Sequence, residues 1–94
     1  MNVNFEWDED KAVSNLRKHG ISFEEGATVF TDPLSLTISD PLHSQYETRY
    51  VDIGRSIEGR LLVVVYTEEE STIRLISCRQ ASRAERRIYE EAHP

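Results

Sequence analysis

LLVVVYTEEESTIRLISCRQASRAERRIY, residues 61–89, carries the clearest architectural signal in the chain. Leu61 to Tyr66 is apolar at every position, as expected of a central strand covered on both faces. Glu68 to Ser71 supply a polar turn, and Ile73 to Arg79 form the next strand. Ser82-Arg83-Ala84-Glu85 is a capping box that opens a helix, serine accepting from the third residue's amide while glutamate reaches back. The stripe Ala81, Ala84, Ile88 and Ala92 is expected to be its buried side. A strand, a tight turn, a strand and a helix thus follow one another with no room for a crossover, which points to antiparallel pairing.

Upstream, Thr48 to Arg55 reads as a strand with Val51 and Ile53 inward, turned by Glu58-Gly59. Leu34, Leu36 and Ile38 alternate with Ser35, Thr37 and Ser39 in a half-buried strand pattern. Asp40-Pro41 breaks it, and a polar loop, Leu42 to Glu47, follows. Nearer the N-terminus the period is helical. Ser22 to Glu25 is another capping box, opening a helix to Phe30 that buries Phe23, Ala27 and Phe30 and ends at Asp32-Pro33. Before it, Asp8 caps a helix with an apolar stripe of Ala12, Val13 and Leu16, stopped at Gly20. Asn2 to Trp7 forms a short N-terminal strand. The expectation is one α+β domain spanning residues 1–94, with two N-terminal helices on a four-stranded antiparallel sheet and a C-terminal helix.

Composition narrows the function. The 94 residues carry 17 acidic and 11 basic side chains, a net charge of −6. That argues against a general nucleic-acid coat protein, whose affinity comes from accumulated lysine and arginine. Yet Arg74, Arg79, Arg83, Arg86 and Arg87 fall within fourteen residues, so 74–87 carry +4 and the remainder −10. A concentrated positive locus on an acidic body suits selective capture of a phosphate or an acidic partner. The longest apolar run is far short of the roughly 20 residues a bilayer demands. With an acidic N-terminus that lacks a signal-peptide core, the expectation is a soluble cytoplasmic protein without membrane contact. Cys78, the lone cysteine, reads as a buried thiol.

Two readings of the arginines stand side by side. Arg83, Arg86 and Arg87 share a helix face with Arg79 just upstream, and guanidinium forks match phosphate geometry. Equally, they could be a solvated face paired with Glu85, Glu90 and Glu91. Arg74 alternates to the opposite side of its strand from Arg79. The capping box occupies Glu85 and lowers its proton affinity, so it is a poor base near neutrality. His19 suits a helix C-terminus by its charge and acid–base work by its chemistry. Trp7, Tyr66 and Tyr89 offer rings for stacking on bases, Trp7 better placed in the core, and Tyr66 ends a strand where its hydroxyl can emerge. The histidines lack metal-ligand spacing, so no metal and no cofactor is expected.

The segments FEWDEDKAVSNLRKHGISFEEGATVF, IGRS, GRLLVVVYTEE and RLISCRQASRAERRIYEE together resemble the BrnT family of toxins from type II toxin–antitoxin systems, over about Phe5 to Glu91. Gly26 and Cys78 each stand where that family commonly has alanine, and Gly26 is expected to weaken its helix by ~1 kcal/mol. The resemblance implies a RelE-like ribonuclease fold, metal-independent RNA cleavage, growth arrest, and neutralisation by a BrnA-like ribbon-helix-helix antitoxin. It further implies a two-plus-two complex that touches operator DNA only through the antitoxin. Arg79 and Arg83 would then clamp the scissile phosphate, with His19 or Tyr66 handling protons and Arg86, Arg87 and Tyr89 contacting flanking RNA. The competing reading is a noncatalytic corepressor module whose arginine face binds an acidic partner.

Overall fold

The computed structural model describes residues 3–39 and 48–93. The expected loop 42–47, its Asp40-Pro41 breaker and the start of the first strand at Asn2 lie outside them. In chain order the elements are β1 (Asn4–Glu6), α1 (Glu9–His19), α2 (Phe23–Ala27) running into a 3-10 turn (Thr28–Thr31), β2 (Leu36–Ser39), β3 (Arg49–Arg55), β4 (Leu61–Glu69), β5 (Thr72–Gln80) and α3 (Arg83–Ala92).

β2 to β5 form the expected antiparallel meander, with β4 in the middle. The sheet is nonetheless five-stranded and mixed, not four-stranded. β1 joins its far edge parallel to β5, pairing Asn4, Phe5 and Glu6 with Thr72, Ile73 and Arg74. The short N-terminal strand thereby closes an edge that would otherwise expose unpaired backbone groups. The β4–β5 turn tightens to Glu70-Ser71, Glu70 taking a left-handed φ of 55°, which lengthens both strands beyond the expected ends.

Both sheet faces are covered, so β4 is buried on each side. One face packs Leu62, Val64, Tyr66, Leu75 and Cys78 against Ile21, Phe23 and Val29 from the N-terminal helical layer. Trp7 joins this layer, edge-on to Phe23 at 5.8 Å. The opposite face packs Ile53, Leu61 and Val63 against Tyr89 of α3. Among the described residues no helix is long and apolar enough to cross a membrane.

Three expectations need correction. In α1 the residues Val13 and Leu16 are half exposed, 53% and 50%, and the buried residue is Asn15. Its side-chain amide donates to the Ile21 and Cys78 carbonyls at 3.0 and 2.7 Å, and its Oδ1 accepts from the Cys78 amide at 3.1 Å. Asn15 acts as a one-residue strand partner for β5 where β1 has ended, so satisfying backbone groups outweighs burying two aliphatic chains. In α3 the stripe shifts the same way. Ile88 is 53% exposed while Tyr89 is 5% exposed, because the tyrosine brings a larger apolar body and a hydroxyl that finds a partner in Asp32. Lastly, α2 stops at Ala27 and tightens into the 3-10 turn, which carries Val29 into full burial.

Gly26 faces β5 at very close range. A Cβ there would lie 2.7 Å from Cys78 Sγ and 3.2 Å from its Cβ, so the missing methyl makes room for sulfur. Cys78 itself is fully buried, and burial pushes its thiol up to about 12.

Candidate functional site

The β5–α3 junction collects the positive charge. Arg79 pairs with Val63 in register, and Val63 belongs to the core under α3, so Arg79 projects from the α3 side of the sheet. Ser82 caps α3, accepting from the Glu85 amide at 3.2 Å, and the Glu85 carboxylate accepts from the Ser82 amide at 2.8 Å. The same carboxylate takes a two-pronged contact from Arg79, Nη1 to Oε1 at 2.7 Å and Nη2 to Oε2 at 2.8 Å. The guanidinium beside it, helped by the capping amide, holds the Glu85 carboxyl down to about 2. Glu85 therefore stays ionised at any physiological pH and serves as a bracket.

Arg79 remains 42% exposed on its side chain despite this contact. A planar guanidinium fixed along one edge keeps other N–H groups for a second anion. Arg83, Arg86 and Arg87 are exposed on the first two turns of α3, which Arg79 touches through Glu85.

The far end of α3 is fastened too. Tyr89 donates to Asp32 Oδ2 at 2.8 Å, the Arg55 amide donates to the same oxygen, and the Arg55 guanidinium lies 5.8 Å from the Tyr89 ring centre. With its ring inside the core, Tyr89 supports α3 and offers no open face to a base.

Tyr66 takes no part in this junction. Its register partner is Leu75, in the core beneath the N-terminal helices, on the face opposite Arg79. It donates to Asp52 Oδ1 at 2.8 Å, an oxygen that also accepts from Thr37 at 2.6 Å. Burial, then the hydrogen bond to Asp52, raises the tyrosine's proton affinity, while burial raises that of Asp52. Nothing in the sequence marked Asp52. Val51 and Ile53 point to one face, so Asp52 must point to the other, and that face is covered as well.

His19 ends α1 beside Ser77 of β5, lining with it a groove of about 220 Å³. Ser77 pairs with Val65, two residues from Val63, so it shares Arg79's side of the sheet.

A β-bulge corrects the placement of Arg74. Register shifts between Val65 and Tyr66, leaving Ile76 as the extra residue on β5. Arg74, opposite Thr67, consequently lies on the same face as Arg79. It is occupied there by Glu6 of β1 at 2.7 Å. Among the described residues no group of three or more His, Cys, Asp or Glu could hold a metal ion.

Comparison with known proteins adds three findings. The family model described as "Ribonuclease toxin, BrnT, of type II toxin-antitoxin system" matches residues 7–85. Among solved structures, the crystal structure of the Brucella abortus ribonuclease toxin BrnT superposes with a TM-score of 0.64, covering 87% of this chain and 100% of that one. At 24% identity, that likeness shows a shared fold. No curated protein matches.

Proposed function

This chain belongs to the BrnT family of ribonuclease toxins of type II toxin–antitoxin systems, and on that premise we propose that it arrests growth by cutting RNA without a metal ion until a cognate antitoxin neutralises it. In such cleavage the ribose 2′-oxygen attacks the adjacent phosphorus and the bond to the 5′-oxygen breaks. The 2′-hydroxyl proton leaves with a base and the 5′-oxygen receives one, giving a 2′,3′-cyclic phosphate and a 5′-hydroxyl. Negative charge gathers on the phosphorane in between. Preplaced cationic donors stabilise it, and losing one typically costs ~10²–10³ in rate.

The observation that carries the proposal is the bracketed but still accessible Arg79 fork at the root of α3. Arg79 and Arg83 hold the scissile phosphate, Arg86 and Arg87 take flanking charge, and His19 moves a proton from the α1 side. Tyr66 has no place in this scheme, since it projects from the other face. The RelE-like architecture belongs to the same reading, supported by the antiparallel meander under two helical layers. So do the cytoplasmic location and the antitoxin of ribbon-helix-helix type in a two-plus-two complex, through which alone operator DNA would be reached.

The test is cleavage of total RNA by the purified protein, with and without chelator, alongside Arg79→Ala and Arg83→Ala whose folding is checked by circular dichroism. Chelator-resistant cutting that falls at least a hundredfold in either variant is expected. Full activity in both folded variants removes the clamp, and no cutting by the parent protein at high concentration leaves the corepressor reading.

A further inference from the structure

The chain has only two lysines, and both line one groove. It runs between α1 and the edge of β5, about 220 Å³ in volume, with Lys11, Ser14, Lys18 and His19 on one wall and Ile76 and Ser77 on the other. Lys11, Ser14 and Lys18 stand three and seven residues apart, so they share one side of the helix, the lysines about 10 Å apart along its axis. The groove exists because β1 ends at its pairing with Arg74, and Asn15 then draws α1 against the uncovered edge of β5 through Cys78.

Its position matters as much as its charge. Ser77 stands two residues from Arg79 on the same side of the strand, about 7 Å away, a distance one nucleotide bridges. A strand of RNA held at Arg79 can thus cross the β5 edge at Ser77 and run along α1. Neither lysine makes an ion pair among the described residues, so a polyanion would displace counterions and not protein carboxylates.

The geometry points to the α1–β5 groove as a second backbone-binding subsite of the ribonuclease, in which Lys11 and Lys18 each take one phosphate of the RNA flanking the cut, assisted by the Ser14 and Ser77 hydroxyls. This rests on the ribonuclease reading and extends its footprint from the arginine junction to the N-terminal helix. It also implies a minimum substrate length, since only a strand several nucleotides long reaches both.

The experiment measures binding of a fluorescent 2′-O-methyl RNA 12-mer, which lacks the nucleophile and cannot be cut, over a range of salt concentrations. Each phosphate contact on a single strand contributes about −0.7 to the slope of log affinity against log salt. Lys11→Gln and Lys18→Gln should each flatten the slope by ~0.7 and weaken binding about fivefold at 0.1 M salt, the pair by about 25-fold. Arg17→Gln removes the same charge from the same helix outside the groove and should change neither. A double lysine variant that keeps the parent's slope and affinity, or an Arg17 variant that loses as much, overturns the subsite. Parent protein that binds no oligomer even at low salt removes the ribonuclease reading along with it.

Discussion

Gly26 and Cys78 lie so close together that the structure makes the two positions one event. A methyl on Gly26 would sit 2.7 Å from Cys78 Sγ, 3.2 Å from Cys78 Cβ and 3.4 Å from Leu75 Cδ2. The sulfur cannot swing aside into solvent, because Cys78 is fully buried. Gly26→Ala should gain about 1 kcal/mol of helix propensity and lose about 1–3 kcal/mol to overpacking, a net loss near 1. Cys78→Ala removes a buried sulfur roughly the size of one or two methylenes, a loss of about 1–2 kcal/mol. In the double variant the new methyl occupies the volume the sulfur left, so stability returns to within about 0.5 kcal/mol of the parent. The coupling energy is then ~2 kcal/mol, within the range seen for residues in direct contact. Urea unfolding followed by Trp7 fluorescence and circular dichroism measures all four corners of this cycle. Additive single effects, or a Gly26→Ala variant more stable than the parent, would show that the two positions do not compensate.

Two further predictions concern the side chains that fasten the helices. Asn15→Leu leaves the Ile21 carbonyl and both backbone groups of Cys78 without partners and should cost about 3–5 kcal/mol; Leu16→Gln, at a half-exposed site, should stay within about 0.5 kcal/mol, and the reverse ranking in thermal melts would refute the reassigned face of α1. Glu85 has its folded carboxyl lowered from 4.5 to about 2, so its contribution is present above pH 4.5 and is lost as pH falls through 2. Glu85→Gln should therefore be less stable than the parent by about 1–2 kcal/mol at pH 7, discounting for the half-exposed Arg79, and the gap should close between pH 4.5 and 2 in paired denaturant titrations. A gap unchanged at pH 2.5 would mean that Glu85 acts through its shape and not its charge.

Period was legible in the sequence where phase was not. The capping residues Asp8, Ser22 and Ser82 sit where the pattern put them, each bonded to its helix's first-turn amides, but the box closes only at Ser82, because the Glu25 carboxylate turns to Ser56 and Arg60. The buried side of α1 and of α3, however, lies one residue, or about 100°, from the aliphatic stripe. In both cases a hydrogen-bonding residue, Asn15 or Tyr89, took the inward position next to an aliphatic one. Hydropathy ranks Leu16 above Asn15, but it has no means of knowing that β1 ends at Glu6 and leaves Cys78's amide and carbonyl to be satisfied. The same short β1 turned an apparent four-stranded sheet into five. At the site, simple alternation separated Arg74 from Arg79 by face, and the bulge at Ile76 reversed that. A bulge is set by tertiary packing, here the need to keep Ile73, Leu75 and Cys78 all in one core despite their mixed parity. The Arg79–Glu85 contact was half legible: the capping box marked Glu85 as occupied, but one carboxylate serving amide and guanidinium together required the strand's end and the helix's start in three dimensions.

Net charge is a poor guide to this molecule because its charges are sorted. Acidic side chains gather in the first turns of α1 and α2 and at the β4–β5 turn. Among the described residues Arg60 is taken by Glu25, Arg74 by Glu6, and Arg79 in part by Glu85. Lys11, Lys18, Arg83, Arg86 and Arg87 make no ion pair among the described residues; the arginines follow Arg79 on α3, and the lysines line the groove that reaches Ser77. Screening at physiological salt acts over about 8 Å, so a phosphate at the β5–α3 junction senses this local group far more than carboxylates across the sheet. An excess of −6 then works in favour of discrimination, since it weakens indiscriminate adhesion to nucleic acid and leaves attraction only where the cations converge. Added cations should bear this out asymmetrically: placed on the acidic β4–β5 turn they raise nonspecific RNA affinity, whereas the rate of cutting still follows Arg79.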